Sequence, residues 1–66
     1  MDREIIKDLL KEIIELDKKA YIELNNNIGY ECKVLVLKDD CVLLLDKYNK
    51  KVFIAIDKIV QISECR

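Results

Sequence analysis

The chain has 66 residues, with 12 basic and 13 acidic side chains for a net charge of −1, no histidine, no proline, one glycine and three cysteines. That size allows one small domain, 1–66, whose core only just offsets the entropy of ordering it. The near-neutral charge excludes a bulk electrostatic pull toward nucleic acid and leaves room only for a local patch.

Cys32, Cys41 and Cys65 are odd in number and form no CxxC pair. Neither a disulfide framework nor a metal site is therefore expected, and no cofactor is; free thiols fit a reducing, cytoplasmic setting. No apolar run approaches the roughly 18 residues of a membrane span. The start, "MDREIIKDLL", lacks the positive-then-apolar order of a signal peptide. Self-association is the remaining route to stability, and a homo-oligomer is expected.

In chain order, the first element is a helix over about residues 2–18. Ile5, Ile6, Leu9, Leu10, Ile13 and Ile14 recur at helical spacing and form an apolar stripe two residues wide. Asp2 is placed to cap its amino end, and Glu4 lies in the first turn, where the helix dipole favours negative charge. Docking on the chain's own sheet is the expected use of the stripe, with assembly through the helix as the alternative.

From Ala20 the period changes to two. Strands are expected at about 20–24, 30–38, 41–47, 51–56 and 59–64, separated by polar turns. "NNNIG" reads as a turn in which asparagine tolerates left-handed backbone and Gly29 supplies it at least cost, and "DD" at 39–40 as a hairpin turn with an Asx hydrogen bond. In "VFIAIDKIVQI", Asp57 and Lys58 are read as the turn between the last two strands. Adjacent strand residues point to opposite faces, so the pair does not make an acid–base couple. Val34 to Leu37, Val42 to Leu45 and Val52 to Ile56 are apolar on both faces, more than one helix can cover.

This order of elements resembles the Sm-like fold, which includes the bacterial Hfq proteins. "IAIDKIVQI" is similar to the second Sm motif, with Ile54, Asp57, Ile59 and Ile62 at its apolar and acidic positions. "KDDCVLLL" echoes the first, with Asp39 as its Asp. The resemblance implies a mostly β chain with one N-terminal helix and a five-stranded, strongly bent antiparallel barrel of the SH3-like kind. It also implies rings formed by edge strands, here through Val52, Phe53, Ile54, Ile59, Val60 and Ile62, and RNA binding. Where RNA-binding relatives carry Asn, Arg and Gly, this chain has Leu43, Ala55 and Ile56, which offer packing and no donors. The Tyr-Lys-His segment of Hfq has no counterpart, and neither Cys32 nor Lys33 supplies the usual glycine of the second strand.

Lysine–tyrosine clusters are then the candidate contacts to single-stranded RNA: Lys47, Tyr48, Lys50 and Lys51, and Lys18 and Lys19 beside Tyr21. The bland reading of both is a solvated, charged surface. No nucleophile–base pair or glycine-rich phosphate loop occurs, so no enzymatic activity is expected. An Sm-like, ring-forming, RNA-binding or RNA-chaperone-type protein is the leading reading. An Sm-like module that binds a protein partner, without RNA, is the alternative.

Overall fold

The computed structural model describes residues 3–65, apart from the side chain of Cys65. Asp2, the expected cap, lies outside them. Helix α1 spans Arg3–Glu15, followed by strands β1 (Lys19–Leu24), β2 (Gly29–Leu37), β3 (Cys41–Asp46) and β4 (Lys51–Ala55). A short 3-10 helix, η1, takes Ile56–Lys58, and β5 is Ile59–Cys65. Asp57 and Lys58 therefore do fall in the break between two strands, and Ile56 beside them is fully buried.

α1 is shorter than its periodicity predicts because the chain leaves it through Asp17. That residue adopts left-handed backbone (φ 53°), and the Lys18 and Asp17 amides donate to the carbonyls of Ile13 and Ile14 at 3.2 and 3.1 Å. This is a Schellman ending with aspartate where glycine is usual. In the turn between β1 and β2 an asparagine, not the glycine, supplies the left-handed backbone. Asn27 takes the left-handed conformation (φ 66°) and Gly29 does not. Gly29 instead makes room for Tyr21, whose phenol occupies the space a β-carbon would need. The Asx bonds lie away from 39–40: Asn26 Oδ1 accepts from Ile28 N at 3.1 Å, and Asp46 Oδ1 from Tyr48 N and Lys50 N at 2.8 and 2.9 Å. Asp40 spends its carboxylate on Arg3.

The sheet is antiparallel throughout, in the order β4-β3-β2-β1-β5. Its inner face carries Ala20, Ile22, Leu24, Cys32, Val34, Val42, Leu44, Ile54 and Ile59, all buried against Ile6, Leu10 and Ile13 of α1. A register shift between Val34 and Val36 marks a bulge at Leu35. The bulge bends β2 and moves Val36 to the outer face. The expected closed barrel is not formed. β4 and β5 are the two ends of an open sheet, linked by η1 across its mouth. Closure of the core falls to α1, which packs on β2, β5 and η1, so no β4–β5 ladder is needed to exclude water.

Arg3 fastens that lid. Its guanidinium donates to Asp40 Oδ1 at 2.6 Å, the Asp39 carbonyl at 2.8 Å and Asp57 Oδ1 at 3.4 Å. The hydrogen bond to Asp40, then the charge of Asp57, hold its pKa above the ordinary arginine value. A raised cation pKa contributes stability at every pH below the unfolded value and loses it only as pH climbs through the folded one. The latch therefore stays cationic throughout the neutral range.

Candidate nucleic-acid surface

On the outer face, register places residues far apart in sequence into one row. Lys19 on β1 pairs with Lys33 on β2, Lys33 with Leu45 on β3, and Leu45 with Lys51 on β4. Like charges directly opposite each other destabilise a sheet. Asp17 answers Lys33 at 2.9 Å, whereas Lys19 and Lys51 make no ion pair among the described residues. A row of this kind repays its cost when an anion lies across it.

The β3–β4 turn overhangs the row. The Asp46 bonds to Tyr48 N and Lys50 N tie the turn down, and Asn49 accepts left-handed backbone there (φ 63°). The turn so fixed presents Lys47 and Tyr48 together, with Lys47 Nζ 5.2 Å from the ring centroid. Beneath lie two shallow hollows. One, of about 250 Å³, is lined by Lys19, Lys33, Leu45 and Lys47 with Glu31 and Asp46. The other, of about 450 Å³, is lined by Tyr21, Tyr30, Tyr48 and Lys47, again with Glu31 and Asp46. Asp46 is less repulsive to an anion than its charge suggests, because it already accepts two backbone hydrogen bonds. The arrangement offers ammonium groups for phosphates and tyrosine faces for bases.

Of the residues singled out from sequence, Lys19, Lys47, Tyr48 and Lys51 converge here. Lys50 flanks them on the exposed turn, and Lys18 turns away to pair with Glu64 at 3.4 Å. Lys33 and Tyr30 were not foreseen. Lys33 sits across the sheet from Lys19, and only the β1–β2 register could have found it; Tyr30 pairs with Ile22 and is half-buried against the core.

Of the positions matching the Sm uridine pocket, Leu43 lies midway along β3, Ala55 at the far end of β4 and Ile56 in η1. Leu43 is half-buried, Ala55 is exposed, and Ile56 is in the core. The Ile56 amide donates to the Asp40 carbonyl at 3.0 Å, and the carboxylates of Asp40 and Asp57 are already engaged by the Arg3 guanidinium. Among the expected oligomer contacts, Phe53 and Val60 are exposed, Val52 and Ile62 are half-buried, and Ile54 and Ile59 are spent in the chain's own core. What the last two strands offer a neighbour is therefore mainly their unpaired backbone edge.

Among the described residues no cluster of three or more Cys, Asp or Glu could hold a metal ion. No helix among them is long and apolar enough to cross a membrane. No protein-family model matches the sequence, and no curated protein matches it significantly.

Proposed function

We propose that the chain is an Sm-like, non-catalytic protein that assembles through its sheet edges and binds single-stranded RNA on the lysine–tyrosine surface. The observation that carries the RNA reading is the row Lys19–Lys33–Leu45–Lys51 beneath Lys47 and Tyr48. The Sm-like reading draws support from the N-terminal helix, the order β4-β3-β2-β1-β5 and the 3-10 turn before the last strand. Pairing of β4 from one copy with β5 of the next satisfies both open edges and generates a ring. RNA then lies away from the family's uridine pocket, whose positions here, Leu43, Ala55 and Ile56, lack donors.

Fluorescence anisotropy with short U-rich and A-rich RNAs tests this. Binding should weaken steeply as salt rises, because each neutralised phosphate releases a counterion. The triple variant Lys19→Glu, Lys47→Glu, Lys51→Glu should abolish it, and Leu43→Ser should leave it unchanged. No binding at low salt ends the RNA reading. The second reading, a module for protein contacts, would then stand on the apolar residues exposed on the outer face, Val36 and Phe53.

A further inference from the structure

We propose that the outer face of β2, β3 and β4 docks the exposed ridge of α1 from a second copy of this chain. α1 buries Ile6, Leu10 and Ile13 against its own sheet and leaves Ile5 and Leu16 each about half exposed, at 51% and 50%. Ile5, Leu9 and Leu16, with Glu12 between the last two, fall along one line of the helix surface. The Leu16 amide still bonds the Glu12 carbonyl at 3.0 Å, so the line continues through the helix end. Asp8 and Glu15 run beside it, both exposed, so the ridge is apolar with an acidic border.

The sheet offers the converse. Val36 pairs with Leu43 and Leu43 with Phe53, making an apolar row across three strands. Val36 is 45% and Phe53 61% exposed. Lys38 holds its ammonium 5.7 Å from the Phe53 centroid at one side, and Lys51, with Lys33 already paired to Asp17, flanks Leu45 at the other. An acid-bordered ridge laid on a lysine-bordered row matches apolar surface to apolar surface and negative charge to positive. The two surfaces lie on opposite sides of the sheet, so one chain cannot satisfy its own. The contact is head-to-tail, and it stacks assemblies rather than closing them. It is independent of the edge pairing proposed above.

A photoreactive benzoylphenylalanine in place of Phe53, in a mixture of ordinary and 15N-labelled chains, tests the contact. Irradiation should give crosslinks between heavy and light chains that map to residues 4–16. Crosslinks confined to residues 59–65 would report edge pairing and overturn the helix contact while leaving the ring intact. Crosslinks within the sheet's own outer face, or none between heavy and light chains, would overturn it as well. Independently, Glu12→Lys with Asp8→Lys should weaken association about tenfold, and Lys38→Glu added to them should recover much of it. Both helix positions are exposed, so folding is preserved; unchanged association would also refute the contact.

Discussion

Among the described residues, three hold left-handed backbone, Asp17, Asn27 and Asn49, and each ends or turns an element. Short polar side chains tolerate that region where β-branched ones do not. Asn49→Val should therefore cost on the order of 1–3 kcal/mol in urea denaturation. It should also weaken RNA binding, by loosening the turn that carries Lys47 and Tyr48; a variant as stable as the parent would show that the turn does not need this conformation. Gly29 has a different task. Its missing side chain seats the Tyr21 ring, so Gly29→Ala should displace that ring and reduce RNA affinity, with Tyr21 fluorescence reporting the move. The sequence suggested a turn role for Gly29 because it follows three asparagines. Its real partner lies across the β1–β2 ladder, diagonal to it, and no local pattern reveals that.

At the scale of elements, alternation made the strands legible, and the observed bounds fall within one or two residues of those read from the sequence. The helix end was less so, because Leu16 keeps the helical period and Asp17 is not the usual stop signal. The lysine row was beyond reach for the same reason as the Gly29 contact: Lys19, Lys33 and Lys51 become neighbours only through register. α1 itself is held by three fully used apolar residues and by Arg3. Leu10 is completely buried, so Leu10→Ala should cost about 2–5 kcal/mol. In so small a domain that approaches the whole net stability. Thermal melts should show a collapsed transition, and a shift of only a degree or two would mean that the lid contributes little. Arg3→Ala should act more gently, since its partners are largely solvated, with side-chain exposures of 90% for Asp40 and 76% for Asp57.

For the whole molecule, the open sheet is the dominant fact. A chain this short leaves two strand edges and an apolar outer row uncovered, and unpaired edges invite pairing. The prediction that separates folding from assembly uses the bulge in the β1–β5 ladder. Glu23 pairs with Gln61 and Leu24 with Ile59, so Val60 is the residue passed over. Proline there gives up at most the bulge's own bond to β1, bulges on edge strands accommodate it, and residue 59 already has the extended backbone that a following proline requires (φ −80°, ψ 126°). Val60→Pro should therefore keep the circular dichroism of the parent while presenting a kinked edge, crowded by the proline ring, to any neighbouring β4. If edge pairing builds the assembly, native mass measurement should find the parent at a multiple of the 7.8 kDa chain and the proline variant falling apart. An unchanged assembly in a folded Val60→Pro variant would assign the oligomer to another surface, and a parent that is monomeric at working concentration would remove the ring altogether. Loss of RNA binding together with the assembly would mean that the lysine rows act in concert around a ring, each too weak alone to hold a strand of RNA.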